Sequence, residues 1–450
     1  RHDAVAELAP MIDLRHELAW RAEAAGRMDP EAFLEWSEGV SWIASRRWLV
    51  WLAWLLPLCL VGSVILQSAG LIDAPVWIVI IAINIVLSLG LGERMHSIFD
   101  RVASRQNKLS AFENPFAIVN DATFESTTLR DIQSRMVDDG VPAERRMSSL
   151  SRLVELAGLH HSQMSYLPIQ AITLWDFHVL GALDRWQSHS GRAARGWLAA
   201  LGEFEALSAL AGLRYDEPGW CFPDVDATHD SLAAVDLAHP LIASGRRVAN
   251  DVTVGPPESF LLVTGSNMSG KSTLLRAIGL NAVIAQAGGP VCASSMSMPP
   301  LVLGTSMVIE DSLVDGVSFF MAELRRLREI VTLADACAAS PDRRMLYLLD
   351  EILRGTNAIE RQIAARRVIT HLLQSGSIGA VSTHDTGLAA IEQLTSASIP
   401  VHFQETINTD RDGGTMTFDY RLRSGLATTT NALKLLELVG LGEISERKPT

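Results

Sequence analysis

Cysteine and lysine are both rare in this sequence of 450 residues. The four cysteines (Cys59, Cys221, Cys292 and Cys337) lie far apart and form no Cys-x-x-Cys or Cys/His pair. This argues against a disulfide framework or a zinc site and fits a reducing cytosol. Lysine supplies only four of the 38 basic residues, so a lysine that is kept inside a motif carries weight.

Positive charge is in deficit as well, with 38 Lys and Arg against 51 Asp and Glu and a net charge of −13. A protein that binds nucleic acid over its whole surface is basic, so any DNA contact here must come from a local patch. The chain is 48% apolar and only 20% charged, which excludes disorder. Its length is that of about three domains.

Charge is absent altogether from two long runs, residues 48–72 and 74–92. Each run meets the requirement of about 20 apolar residues for crossing a bilayer. Arg46 and Arg47 precede the first run, Arg94 follows the second, and the connecting loop carries no Lys or Arg. The positive-inside rule then places both long arms in the cytoplasm. We expect a transmembrane hairpin in a bacterial-type inner membrane; the alternative is a helical hairpin buried in a soluble core.

Outside the hairpin, the predicted secondary structure changes at one point, from helices to strands. Helical periodicity dominates on both sides of the hairpin, and strand-like runs with glycine turns take over after residue 215. The predicted domains are a helical part at 1–47, the transmembrane hairpin at 48–92, a second helical part at 93–215 and an α/β domain at 216–450.

A glycine-rich loop stands between a strand-like run and a helix in this last domain. Residues 265–273 read GSNMSGKST, which is the GxxxxGK[ST] pattern of a P-loop. Backbone N–H groups of such a loop surround phosphates at a helix N-terminus, while Lys271 supplies a charge for the β- and γ-phosphates and Ser272 a Mg²⁺ ligand. The residues predicted to bind ATP are Gly265, Ser266, Asn267, Met268, Ser269, Gly270, Lys271, Ser272 and Thr273.

Two further strand-like runs end in polar residues. Residues 345–349 are apolar and lead into Asp350 and Glu351. We expect Asp350 to hold Mg²⁺ and Glu351 to orient or polarise the attacking water. Residues 377–384 form a run of small residues that ends in His384, whose imidazole could reach the γ-phosphate.

These motifs resemble the ATPase domain of the MutS family, within the ABC superfamily, over residues 239–441. The family pattern TGPNMGGKST is TGSNMSGKST here, with Ser266 and Ser269 as departures, and DEIGRGTS is DEILRGTN at 350–357. Residues 316–324, GVSFFMAEL, are similar to the family element STFMxEM. The resemblance implies that Ser318 touches the nucleotide of a partner, and hence a homodimer formed through the ATPase domains.

The resemblance extends to the N-terminus, where residues 1–8, RHDAVAEL, are similar to the start of the family's lever domain. It implies a fold made of an α/β P-loop NTPase (an ABC/MutS-type ATPase domain), preceded by an all-α lever/core domain that a two-helix transmembrane hairpin interrupts. It also implies that sequence upstream of Arg1 is missing. The family's mismatch reader, with its Phe-x-Glu wedge, is not found in these residues.

The function implied is a membrane-anchored, MutS-like switch that binds and hydrolyses ATP with Mg²⁺, its ATPase domain in the cytoplasm. A relation to mismatch repair and mismatched-DNA binding comes from the resemblance alone, because the charge gives it no support. The alternative is an ATP-driven membrane switch or scaffold with no role on DNA.

Overall fold

The computed structural model describes residues 1–24, 30–39, 42–103, 106–161, 163–266, 268–307, 319–340, 342–353, 358–384, 387, 391–408 and 415–427. Their contacts divide the chain into two compact units. The first, the helical unit, is Asp3–Ala211, and the second, the α/β unit, is Arg1–His2 with the residues from Gly212 onward.

Helices make up nearly all of the helical unit. In chain order they are α1 (His2–Leu8), α2 (Ile12–Ala24), α3 (Pro30–Glu38), α4 (Arg47–Ser68), α5 (Val76–Ala103), α6 (Gln106–Asp121), α7 (Thr127–Arg135), α8 (Ala143–Ala157), α9 (Gln163–Thr173), α10 (Trp175–Ser190) and α11 (Ala194–Asp216). Their formation follows from periodicity: in α8, for example, Met147, Leu150 and Val154 recur every three or four residues and are fully buried.

One short hairpin interrupts these helices, in a part of the chain that the resemblance implied to be all-α. Strand β1 (Val137–Asp138) pairs antiparallel with β2 (Val141–Pro142). The two residues between them, Asp139 and Gly140, have φ of 49° and 74°. A two-residue hairpin turn favours this left-handed conformation at both positions, and Asp-Gly adopts it readily.

Two of the helices are long and apolar enough to cross a bilayer, by length and composition. They are Arg47–Ser68 and the first part of α5, Val76–Met95, and only 17% of each is buried within the protein. Their exposed surface includes Trp51 and Leu89, both 77% exposed. Exposed apolar side chains along two long helices are typical of a surface that contacts a membrane or another protein.

In its described residues the α/β unit contains two sheets and several helices. Its elements are β3 (Asp224–Val225), β4 (Leu232–Leu237), β5 (Asn250–Val254), β6 (Phe260–Thr264), α12 (Lys271–Ala287), β7 (Ser295–Met298), β8 (Leu301–Ser306), α13 (Phe319–Ala338), β9 (Arg344–Asp350), α14 (Ala358–Gln374), β10 (Ile378–Thr383), α15 (Glu392–Thr395), β11 (Ser398–Asn408) and β12 (Thr415–Ser424).

The larger sheet has the strand order β12-β11-β6-β10-β9-β8. All neighbouring pairs are parallel except β11 and β12. The smaller sheet has the order β3-β7-β4-β5. Strand β6 is buried along its whole length, as expected for a central strand that is covered on both faces.

Helices cover both faces of the larger sheet. One core contains Leu261 and Val263 of β6 together with Leu274 and Ile278 of α12. The opposite core contains Leu262 of β6 with residues of α13 and α14. Successive residues of a strand point to opposite faces, so one strand contributes to both cores.

The carboxyl ends of three neighbouring strands meet at one edge of this sheet. Thr264 of β6 pairs with Thr383 of β10, and Ser382 of β10 pairs with Asp350 of β9. The segments that follow these strands therefore lie side by side at this edge. In open α/β sheets, ligands bind at the carboxyl ends of the strands.

Candidate nucleotide-binding site

The loop after β6 curls back on itself before α12 begins. Gly265 and Gly270 have φ of 140° and 112°, and Met268 has φ of 66°. A Cβ at Gly265 would lie 3.0 Å from the carbonyl oxygen of Phe403, so the strand next to the loop leaves no room for a side chain. Helix α12 then begins at Lys271 with Gly270 as its N-cap, and its first N–H groups lie at the loop.

Lys271 is buried inside this loop, with only 4% of the residue exposed. Its Nζ donates hydrogen bonds to the carbonyl oxygens of Gly265, at 2.9 Å, and Ser266, at 2.7 Å. The same atom lies 3.8 Å from Oε1 of Glu351. A buried ammonium group needs such compensation, and the arrangement holds one positive charge at the centre of the loop.

Ser269 lies next to this charge, and its residue is 1% exposed. Within the described part of the chain its hydroxyl has no hydrogen-bond partner. Leaving a buried hydroxyl unpaired costs free energy, and an anionic acceptor in the loop would satisfy it. The donors of this loop therefore fit a phosphate group. Ser272 is half-buried and Thr273 exposed in the first turn of α12.

Ser266 connects the loop to the neighbouring strand. Its hydroxyl donates to Oε2 of Glu405, at 2.8 Å, and Glu405 is 9% exposed on β11. This contact could not be predicted from the motifs, because 139 positions separate the two residues.

The two acids at the carboxyl end of β9, Asp350 and Glu351, differ in their surroundings. Asp350 accepts a hydrogen bond from the hydroxyl of Ser382, which fixes the carboxylate at the strand end. Glu351 has φ of 51°, and its N–H donates to the carbonyl oxygen of Ser382 at 3.1 Å. This left-handed conformation, uncommon outside glycine, turns the Glu351 side chain toward the loop.

Glu351 brings three of the predicted site residues together. Its Oε1 faces Nζ of Lys271, and its Oε2 lies 2.8 Å from Nε2 of His384. The Glu351 side chain is 5% exposed and that of His384 is 41% exposed. The cluster thus places a carboxylate between a buried ammonium and an imidazole that is open to solvent.

One further residue supports this cluster and received no role from the sequence. The carboxylate of Glu323, on α13, accepts a hydrogen bond from the N–H of Leu353. Leu353 is fully buried and has φ of 61°, two positions after Glu351. An acidic residue on the buried face of a helix was the available signal, since such positions are normally apolar.

A cavity of about 740 Å³ extends from the loop. Its lining includes residues 270–274, Glu351, His239, Leu241 and Tyr420. Burial, and then the charge of Arg276, lower the pKa of His239, which favours a neutral imidazole. The side chain of Asn250 binds the backbone on both sides of Arg421, with Nδ2 donating to Tyr420 O and Oδ1 accepting from Leu422 N.

Two of the predicted site residues, Asn267 and Ser318, lie outside the described residues. The other predicted residues all occur at one edge of the larger sheet: Gly265, Ser266, Met268, Ser269, Gly270, Lys271, Ser272, Thr273, Asp350, Glu351 and His384.

Four features of this unit define a P-loop-type nucleotide-binding domain. They are a buried strand, a glycine-rich loop that encloses a lysine, a helix N-terminus at the loop, and a strand two places along the same sheet that ends in Asp350 and is followed by Glu351. Residues 261–447 match the family model described as MutS domain V. The α/β domain of this chain is therefore a MutS domain V, which confirms the resemblance that the sequence motifs indicated.

Three relatives illustrate the similarity. The DNA mismatch repair protein MutS of Lactobacillus helveticus is 27% identical over 259 residues, which cover 56% of this chain and 28% of the relative. The DNA mismatch repair protein MSH6 of Arabidopsis thaliana is 32% identical over 54% of this chain and 19% of its own length. Endonuclease MutS2 of Thermomicrobium roseum is 33% identical over 46% of this chain and 24% of its own. The match thus spans less than a third of each relative.

Proposed function

We propose that this chain is an ATP-driven switch that binds ATP with Mg²⁺ and hydrolyses it at the edge of the larger sheet. The observation that carries the proposal is the convergence of Lys271, Glu351 and His384, with Asp350 alongside. Isothermal titration of the detergent-solubilised full chain with ATP, in Mg²⁺ and then in EDTA, tests it. Saturable binding that weakens without Mg²⁺ is expected, and no binding in either buffer would contradict it.

The triphosphate would occupy the loop. There Lys271 would exchange the carbonyl oxygens of Gly265 and Ser266 for oxygens of the β- and γ-phosphates, and the unpaired hydroxyl of Ser269 would gain an acceptor. The nucleoside would lie in the cavity beside the loop, where the ring of Tyr420 is 45% exposed and comes within 3.3 Å of a Cβ at Gly270.

Ser272 and Asp350 would hold the metal ion. A hydroxyl and a carboxylate are the hard oxygen ligands that Mg²⁺ prefers, and Asp350 is already fixed by Ser382. Bound there, Mg²⁺ supplies positive charge against the β- and γ-phosphate oxygens. The hydroxyl of Ser382 thereby positions a metal ligand without contacting the nucleotide.

Glu351 would orient and polarise the attacking water. Its carboxylate lies beside Lys271, so a water bound to Glu351 would stand next to the γ-phosphate that Lys271 holds. His384 contacts the same carboxylate and, as the residue after β10, is the group that could sense whether a γ-phosphate is present.

By family resemblance, two copies would enclose two ATP molecules between their ATPase domains, with Ser318 of each copy completing the site of the other. Binding would bring the domains together and hydrolysis would release them. A helix N-terminus such as that of α13, which begins at Phe319, suits this contact because its N–H groups and dipole attract phosphate.

The helices α4 and α5 would anchor the protein in a bacterial-type inner membrane. Their lengths match a bilayer, most of their surface is exposed, and Arg46, Arg47 and Arg94 flank them on one side. The ATPase domain would then lie in the cytoplasm.

A role on DNA is the second candidate function, because the named relatives are DNA mismatch repair proteins and an endonuclease. The net charge of −13 opposes it. Stimulation of ATP turnover by a mismatched duplex would support the DNA role, whereas turnover that is indifferent to DNA would favour a switch that acts on protein or lipid.

Glu323 would act as a positioning residue for Glu351. Replacing it by methionine keeps the side-chain length but removes the acceptor for Leu353 N–H, and we expect kcat to fall about tenfold or more while ATP affinity stays unchanged. Glu323→Gln should restore turnover, since an amide oxygen still accepts that hydrogen bond. The control is Glu329→Met on the exposed side of the same helix. A loss of ATP affinity in parallel with kcat, without rescue by glutamine, would contradict this role.

A further inference from the structure

Helices α9 and α10 form a second apolar hairpin in the helical unit. Between residues 162 and 183 the sequence contains a single Asp, Glu, Lys or Arg, which is Asp176. Helix α9 ends at Thr173, Leu174 adopts a left-handed φ of 55°, and α10 begins at Trp175. The chain therefore reverses at one buried residue. A stretch of this length is too short to cross a bilayer twice.

The contacts of α9 show that it runs along α5 toward the middle of the second apolar span. Nε2 of Gln170 donates to Oγ of Ser88 at 3.0 Å, and Nδ2 of Asn84 donates to the carbonyl oxygen of Ala171 at 2.7 Å. Asn84 is 11 residues before Met95, the end of that span, which corresponds to about 16 Å along a helix. The tip of α9 therefore lies near the middle of the span.

The contacts of α10 show that it returns along α4. Nε2 of His178 lies 3.1 Å from the carbonyl oxygen of Ala53, and a Cβ at Gly181 would lie 3.4 Å from both methyl groups of Val50. Residues later in α10 thus contact residues earlier in α4, so α10 runs antiparallel to α4 and toward Arg47. Ala53 is six residues from Arg47, or about 9 Å along the helix.

The polar groups at the reversal bond to one another. The Asp176 residue is 1% exposed, its carboxylate accepts from the hydroxyl of Tyr166, and its N–H donates to Oε1 of Gln170 at 3.0 Å. The N–H of Leu174 donates to the carbonyl oxygen of Gln170 at 2.9 Å. Backbone that leaves a helix at membrane depth requires such internal partners, because lipid supplies none.

The outer side of α9 is apolar and uncovered. Leu167 is 64% exposed, Ile169 37% and Ile172 46%, on a helix that packs against both α4 and α5. These three side chains lie at about the same level as Val86 of the neighbouring span, which is 69% exposed. Without a membrane, all four would be in contact with water. One apolar solvent that covers both sets is the hydrocarbon of the bilayer.

We propose that α9 and α10 form a re-entrant hairpin, which enters the membrane from the side of Arg47 and Met95, reverses at Leu174 near mid-depth and returns. Lipid chains cover Leu167, Ile169 and Ile172. This inference rests on the proposed membrane anchor. The protein would then occupy one leaflet with four helical segments and the other leaflet with the ends of α4 and α5.

Spin-label depth measurements on the full chain in liposomes test the inference. Nitroxides are placed singly at Ile172, at Val86 of the anchor and at Ile359, which is 73% exposed on α14, in a variant with its four cysteines replaced by alanine. Collisions with oxygen report hydrocarbon and collisions with a water-soluble nickel chelate report water. We expect the depth at Ile172 to match that at Val86 within about one helical turn, about 5 Å, and Ile359 to be aqueous.

Each other outcome overturns a defined part of the account. A lipid-exposed Val86 with an aqueous Ile172 overturns the re-entrant hairpin and leaves the anchor intact. Aqueous values at both positions overturn the anchor as well. An Ile172 shielded from both reagents, with spin–spin broadening, shows that a second copy rather than lipid covers α9. If the cysteine-free variant does not fold, benzoylphenylalanine at Ile172 in the unaltered background replaces it: crosslinks to phospholipid support the hairpin, and their absence overturns it.

Discussion

Replacing Lys271 by alanine is expected to abolish ATP binding. The ammonium is the one lysine charge inside the loop, and it is held by two carbonyl oxygens at the point where the β- and γ-phosphates would lie. Losing its charge-assisted hydrogen bonds should weaken ATP affinity about a hundredfold or more, equivalent to about 2.7 kcal/mol. Isothermal titration of the solubilised chain in the presence of Mg²⁺ measures this change.

The variant also leaves Glu351 without its buried partner, so folding must be followed separately by thermal unfolding. Lys108→Ala serves as the matched control, because it removes another of the four lysines, from helix α6 of the helical unit. Parental ATP affinity in a folded Lys271→Ala variant would show that the loop is not the phosphate site.

Replacing Glu351 by glutamine is expected to stop hydrolysis while ATP stays bound. Glutamine keeps the shape of the side chain but removes the charge that would polarise the attacking water, and a positioned base is commonly worth 10²- to 10⁴-fold in rate. We therefore expect kcat to fall about a hundredfold or more, with ATP affinity within a few-fold of the parent, in single-turnover and equilibrium measurements.

The control for this variant is Glu392→Gln, which changes an exposed acid on α15. Trapped ATP and a stable dimer are further expected consequences of Glu351→Gln, since the closed state would persist without hydrolysis. A Gln variant that turns over at the parental rate would remove Glu351 from the chemistry.

The phosphate-binding part of the site was predictable from sequence because its spacing is local. Nine consecutive residues specify the loop, and the buried strand before it and the helix after it fix its context. The strand order then brings Asp350 and His384 to the same edge, which the apolar runs that precede them suggested. The match of this domain to MutS domain V was indicated by the same motifs.

The contacts that support the site could not be predicted, because they join residues remote in sequence. Ser266 binds Glu405, Glu323 binds Leu353 and Ser382 binds Asp350, across 139, 30 and 32 positions. Each depends on which strands and helices become neighbours. The left-handed conformation of Glu351 has no signal either, since no glycine marks the position.

The apolar runs indicated the two long helices but not their ends. The first helix stops at Ser68, before the uncharged run ends, because Gly70 turns the chain with φ of 71°. The second continues to Ala103, beyond the run, since charge on a helix surface does not end the helix. The reversal at Leu174 was also not indicated, because leucine seldom adopts positive φ.

The most direct test of the central claim is ATP turnover by the detergent-solubilised full chain, measured with Mg²⁺, with and without a mismatched DNA duplex, beside Lys271→Ala. We predict Mg²⁺-dependent release of phosphate that the variant lacks. An increase of ATP turnover with the duplex would support a role on DNA. Turnover that does not change with the duplex would favour a protein or lipid partner. Absence of turnover above the Lys271→Ala level under every condition would contradict the account of this chain as an ATP-hydrolysing switch.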